Sequence, residues 1–288
     1  MHCKKMVIMR ILISISVLFF YALLLQAKNN VIDSGQYLCS YYYCYSKDTI
    51  KNDEKGEDLL FLSIGKNVSK CYSYYTYQCD SLMASPNGDK LWDSFLTEAI
   101  GKGLKGKQLH NAIPHRRMTA TIYKNYPQGK ITVTDFLLGQ YYLYEDALNS
   151  QEWNIESDSM KVVLGHECQK ATCSFRGRKW TAWFALDVPV SDGPLKFCGL
   201  PGLIMEVYDN RGKQYYFCIN GMQQVSATPI TFGILDKDFK HFQKTDRKDF
   251  LLSKYRYLRN QNSINEASTG ISLGSVDEAL KYDLIEKE

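Results

Sequence analysis

The sequence is short of the residues that announce common chemistries. Five histidines and seven prolines are spread over 288 residues. There is no H-E-x-x-H pair, no G-x-S-x-G elbow, no P-loop and no G-x-G-x-x-G fingerprint. None of the nine cysteines stands in a C-x-x-C spacing, and His166-x-Cys168 with Cys173 is a poor match to a zinc site. Neither metal nor cofactor is therefore expected. Charge of one sign is lacking too. The chain carries 35 Lys and Arg against 31 Asp and Glu, and Lys4, Lys5 and Arg10 precede residue 28, which leaves 32 basic residues (35 less 3) beyond it. So balanced a chain offers no footprint for nucleic acid. Long apolar runs are absent except at residues 11–25. That run falls short of the roughly 20 residues a membrane span needs and follows a basic stretch, so residues 1–27 read as a secretory signal peptide cut near Ala27. No stable transmembrane segment is expected after cleavage.

Cysteine and tyrosine are what the chain does have. Eight cysteines follow residue 28: Cys39, Cys44, Cys71, Cys79, Cys168, Cys173, Cys198 and Cys218. An even count in an exported chain points to disulfides, ahead of free buried thiols or a metal site. Tyr37, Tyr41, Tyr43 and Tyr45 recur at period two, the signature of a strand with one aromatic face. Residues 59–64, 69–77, 118–123, 130–136 and 140–144 also read as strands. Residues 89–100 carry Leu91, Trp92, Phe95, Leu96, Ala99 and Ile100 at helical spacing, with Trp92 as a core anchor. Residues 246–258 suit a second helix. Residues 28–259 thus form one β-rich domain, and residues 260–288, rich in Asn, Ser and Gly at the start, a mobile tail with room for a short helix.

Two hairpins can be taken to register. Arg176-Gly177 suits a two-residue turn, which pairs Phe175 with Arg178, Cys173 with Trp180, Ala171 with Ala182 and Gln169 with Phe184. The other face then holds Ser174 with Lys179, Thr172 with Thr181 and Lys170 with Trp183. A one-residue slip would mix the faces. Cys168 and Cys173 then leave opposite faces, which forbids a bond between them. Asn210-Arg211-Gly212 suits a three-residue turn that sets Val207 against Tyr215, Met205 against Phe217 and Leu203 against Ile219. Cys198 and Cys218 flank that second hairpin and are the disulfide candidates.

Between the hairpins lies Gly199-Leu200-Pro201-Gly202-Leu203-Ile204. Pro201-Gly202 reads as a type II turn, with Gly202 supplying the positive φ at its third position. Together with Gly193-Pro194-Leu195-Lys196-Phe197, with residues 168–172 and with Phe175-Arg176-Gly177-Arg178, this stretch closely resembles the GLPGLI family. The resemblance implies exported proteins of Bacteroidetes, most without an assigned activity, and an antiparallel, β-dominated fold shaped as an open bowl or curved sandwich with one or two peripheral helices. It further implies kinship with a noncatalytic N-terminal part of a secreted bacterial peptide-N-glycosidase. No catalytic residues carry over. The many cysteines depart from the family pattern, as does Cys198 where glycine is common.

The chemistry that remains is that of surfaces. Trp183, with Lys170 opposite it and Arg178 on the same strand, is the ligand-contact candidate, because an aromatic ring flanked by cations suits carbohydrate or peptide. The reading is a noncatalytic exported envelope protein, periplasmic, outer-membrane associated or secreted, that binds an envelope partner or a glycan or peptide ligand. A hydrolase using Glu152, Glu156, Asp158, Asp187, Asp192, Glu206 or Asp209 is one alternative, and a structural assembly component is the other. Buried carboxylates clustered in a pocket would favour the first, and a long exposed sheet edge the second.

Overall fold

The structure is a computed structural model that describes residues 30–46, 55–211, 214–233, 242–269 and 284–286. The expected signal peptide lies outside them. In chain order the elements are β1 (Val31–Ser46), β2 (Lys55–Gly65), β3 (Ser69–Ser73), α1 (Tyr74–Ala84), α2 (Gly88–Gly101), α3 (Gly106–Ala112), β4 (Thr121–Lys124), β5 (Lys130–Leu137) and β6 (Gln140–Ala147). Then follow β7 (Asn154–Val163), β8 (His166–Phe175), β9 (Arg178–Ala185), β10 (Leu203–Asp209), β11 (Tyr215–Thr231), β12 (Gln243–Lys244) and α4 (Arg247–Thr269).

All twelve strands join one open sheet in the order β12-β6-β5-β4-β3-β2-β1-β11-β10-β9-β8-β7. The first six strands run outward from β1 as a meander. The chain then crosses to the far edge and returns, β7 to β11, until β11 closes against β1. Only the two-residue β12 pairs in parallel. The fold is β-rich with few helices, as the sequence pattern requires. No helix among the described residues is long and apolar enough to cross a membrane.

The β8–β9 register is the expected one at every pair from Gln169↔Phe184 to Phe175↔Arg178. Arg176 (φ 51°) and Gly177 (φ 72°) both take positive φ, the geometry of a type I′ turn. The β10–β11 register differs from expectation by two residues: Val207 faces Phe217 rather than Tyr215, and Glu206 faces Cys218 rather than Tyr216. The connection is longer than a three-residue turn, and Asp209 Oδ1 accepts the Tyr215 N–H across it at 3.0 Å. A shift of two preserves the face of every side chain, so the apolar face survives.

One face of the sheet, called inner here, is covered by residues 186–202, the long connection from β9 to β10. Its Phe197 packs on Trp180 (4.7 Å between ring centroids), Phe217 and Phe175. Leu195, Phe197 and Leu200 are all buried, each such side chain contributing roughly 1.5–3 kcal/mol of apolar burial. Tyr41 and Tyr43 of β1 point the same way. Tyr41 is fully buried, and its hydroxyl donates to the Ile204 carbonyl at 2.9 Å.

Elsewhere the local signals misled. The strand expected over 69–77 stops at Ser73, whose hydroxyl accepts the Thr76 N–H and starts α1. On α2 the apolar stripe is largely bare. Leu91, Phe95 and Ile100 are exposed, Trp92 is half-buried and Ala99 alone of the stripe is buried. Helical spacing places residues on one side of a helix, but only a neighbour of the right shape can bury them. The C-terminal helix continues through residues 260–269, and residues 284–286 return to the sheet.

Candidate functional site

Trp183 and Lys170 stand opposite one another, as the register requires. Pairing across successive strands extends this into one lateral row on the outer face: Glu156, Lys170, Trp183, Glu206, Cys218 and Tyr42. Six strands at ~4.8 Å spacing make the row roughly 24 Å long. A bulge at Met205 lets Glu206 align with Trp183.

Charges are set around the indole in compensated pairs. Lys170 Nζ donates to Glu156 at 2.9 Å, and Lys161 Nζ pairs with Glu206 while standing 5.1 Å from the centre of the Trp183 ring. Trp183 is half-buried, and its indole N–H is buried with no hydrogen-bond partner. Indole is donor only. An orphaned buried donor costs about 1–3 kcal/mol. Farther along the outer face Lys70 lies between the Tyr72 and Tyr123 rings and donates to the Thr231 carbonyl at 3.0 Å. Burial pulls its ammonium down to about 8. Sequence reading singled out neither Lys161 nor Lys70. β7 shows no apolar alternation to mark it as a strand, and nothing local sets Lys161 over a ring two strands away.

Arg178 does not join this row. It is buried at 3% exposure and binds Asp209 (3.2 Å), Gln214 (3.1 Å) and the carbonyls of Leu284 (2.8 Å) and Ile285 (3.0 Å). The partner it touches is the chain's own terminus.

The motif 199–204 sits on the inner side, where its glycines have different duties. Gly202 does not take the positive φ of a type II turn; Gly199 does, at +92°. A Cβ on Gly202 would lie 2.0 Å from the Ala185 carbonyl oxygen, so Gly202 is needed for close approach of two backbones. The stretch before it is pinned from β4 and from the connection between β6 and β7. Lys124 pairs with Asp192 and donates to the carbonyls of Gly193, Leu195 (3.0 Å) and Phe197 (3.4 Å). Gln151 Nε2 donates to Lys196 O at 3.0 Å and Trp153 Nε1 to Cys198 O at 2.8 Å.

The proposed Cys198–Cys218 bond is not formed. All eight described cysteines are free. Cys218 belongs to the outer row, opposite Tyr42 and Glu206, whereas the Cys198 thiol lies beneath the inner loop, donating to Asn149 Oδ1 at 3.4 Å. The sheet itself separates them, a fact that sequence distance could not reveal. Cys168 and Cys173 occupy opposite faces as derived, paired with Ala185 and Trp180. Burial pushes the thiols of Cys39 and Cys173 up to about 12 and those of Cys71 and Cys168 to about 11, which leaves them poor nucleophiles. Maleimide at pH 8 is therefore expected to label half-buried Cys218 well ahead of the seven buried cysteines, and non-reducing peptide mapping to yield no 198–218 link. Fast labelling of Cys39 in native protein would contradict this.

Among the described residues, five of the seven candidate carboxylates have basic partners of their own. Glu156, Asp192, Glu206 and Asp209 each face a cation, respectively Lys170, Lys124, Lys161 and Arg178, and Asp187 Oδ2 lies 2.7 Å from the His166 ring. Desolvation raises the Asp58 carboxyl, but its oxygens already accept from Leu59 N, Ser73 Oγ and Met118 N. The His110 and His115 rings are tilted at 37° with centroids 4.0 Å apart, and among the described residues no group of three His, Cys, Asp or Glu could hold a metal ion.

Residues 173–206, from the end of β8 through the motif, match a family described as a protein of unknown function (Porph_ging). The solved structure of PNGF-II in space group P21 is similar over 78% of this chain at 12% identity, with a TM-score of 0.49. The structure of PNGF-II in space group C2 gives a TM-score of 0.47 over the same share. The chain spans 34% of the length of those proteins. No curated protein matches it in sequence.

Proposed function

We propose that this chain is an exported, noncatalytic β module that binds a glycan or peptide across the Trp183 row of its outer face. The observation that carries the reading is the half-exposed ring of Trp183 with Lys161 beside it. A sugar ring or a peptide unit matches such a group well: each offers a flat surface for the indole and polar groups for the neighbouring charges. The ion pairs to either side hold the ring in place and present charges of both signs to polar groups of the ligand. Dispersal of the carboxylates among separate cations supports binding over hydrolysis, since glycosidic cleavage needs two carboxyl groups facing one bond.

The test is a titration of oligosaccharides and short peptides followed by indole fluorescence. Saturable quenching is expected, with Trp183→Phe weakening affinity about tenfold, or ~1.4 kcal/mol, while leaving the melting temperature unchanged. Binding indifferent to Trp183→Phe would sink the proposal. A second reading, an assembly component of the envelope, draws support from the β7 edge, where Ile155, Met160 and Val162 are exposed on a strand with one side unpaired. Sedimentation separates the two: a monomer quenched by ligand fits the first, an oligomer dispersed by Val162→Lys the second.

A further inference from the structure

The terminus that Arg178 touches is held as a peptide ligand is held. Two nitrogens of the buried guanidinium donate to consecutive carbonyls, Leu284 O and Ile285 O. The Ile285 side chain packs against the core cluster. The Glu286 carboxylate then meets two buried cations, Lys196 at 2.6 Å and Arg247 at 3.7 Å. Recognition is thus divided among backbone, apolar side chain and acidic side chain, from three separate parts of the fold: β9, the 186–202 loop and the start of α4.

We infer that the inner face carries a binding seat for a short peptide with an apolar residue followed by an acidic one, and that the chain's own residues 284–286 are its resident occupant. The seat is built before the occupant is counted. Arg178 is fixed by Asp209 and Gln214, and Lys196 by Asp146 at 3.2 Å. Arg178 and Lys196 therefore keep partners of their own when the terminus leaves, and of the three cations only Arg247 gives up its ion pair. The resident also fits imperfectly. Arg247 Nη1 and Glu286 Oε2 are both buried, both without a hydrogen bond, and face one another at 3.7 Å, beyond hydrogen-bond reach. A peptide able to bring its carboxylate closer would bind in preference. This seat shares no residue with the Trp183 row, so either can stand without the other.

The experiment uses the full chain and a labelled heptapeptide copying residues 282–288, Tyr-Asp-Leu-Ile-Glu-Lys-Glu, with fluorescence anisotropy as the readout. A resident segment competes at high effective concentration, so the unaltered chain should bind the peptide weakly. Glu286→Ala, which weakens the resident, should bind it at least tenfold more tightly. A peptide with Gln in place of the Glu that copies Glu286 should lose at least tenfold in turn. Ile285→Ala, which opens the seat without changing any charge, serves as an independent variant should Glu286→Ala fail to fold. Equal affinity in unaltered and opened chains, or indifference to the Gln replacement, would overturn the inference.

Discussion

Replacing Lys124 by methionine is expected to destabilise the fold by about 3–5 kcal/mol, the range for breaking one side of a buried ion pair. The Lys124 side chain is 4% exposed and Asp192 11%. Deletion of the ammonium strands the Asp192 carboxylate and removes the donor shared by the Gly193, Leu195 and Phe197 carbonyls. The effect reaches beyond the pair because these carbonyls belong to the loop that roofs the inner core. Asp192→Asn should cost nearly as much by leaving the ammonium without a counter-charge. The double variant should be less damaged than the sum of the two, with a coupling of about 1–3 kcal/mol. Urea unfolding of the four proteins decides it. A Lys124→Met loss below 1 kcal/mol, or strict additivity, would mean that the loop is held by its apolar contacts alone.

Among the described glycines, Gly202→Ala should be the most disruptive single methyl addition. The new Cβ would sit 2.0 Å from the Ala185 oxygen and 2.7 Å from its carbonyl carbon, and backbone cannot turn aside as a side chain can. The end of β9 and the start of β10 would have to part, which breaks the Leu203↔Ala185 pairing. A loss above about 3 kcal/mol is expected, the upper range for overpacking. Gly199→Ala makes the useful contrast. Its nearest contacts are ordinary ones at 3.7–3.8 Å, so only the left-handed φ resists the methyl, at about 1–2 kcal/mol. Thermal unfolding and soluble yield should rank the variants in that order; a reversed ranking would falsify the steric account of the motif.

That ranking differs from what the motif suggests when read alone, where Pro201-Gly202 looks like a turn in need of positive φ. The difference is instructive because the residue type was right and the reason was not. Glycine is required at 202 by a carbonyl seventeen positions earlier in the chain, and no local rule carries that information. The same division runs through the site. Trp183 opposite Lys170 follows from the Arg176-Gly177 turn and the alternation of its strands, both local. Lys161 over the indole and Glu206 beside it depend on β7 and β10 joining that hairpin from opposite sides.

The β-rich class, the β8–β9 register and the face on which each residue of that hairpin lies are legible in residue order. These follow from period-two patterning and from a two-residue turn that closes in one way. Which faces are covered is a property of the assembled fold. The fold buried Tyr41, left the α2 stripe bare, and put Cys198 and Cys218 on opposite sides of the sheet. It also moved the β10–β11 register by two, and brought the terminus from residue 284 onto Arg178. Each of these depends on what packs against a surface rather than on the surface itself. Patterning specifies a face, and burial requires a partner whose position is set by the whole chain.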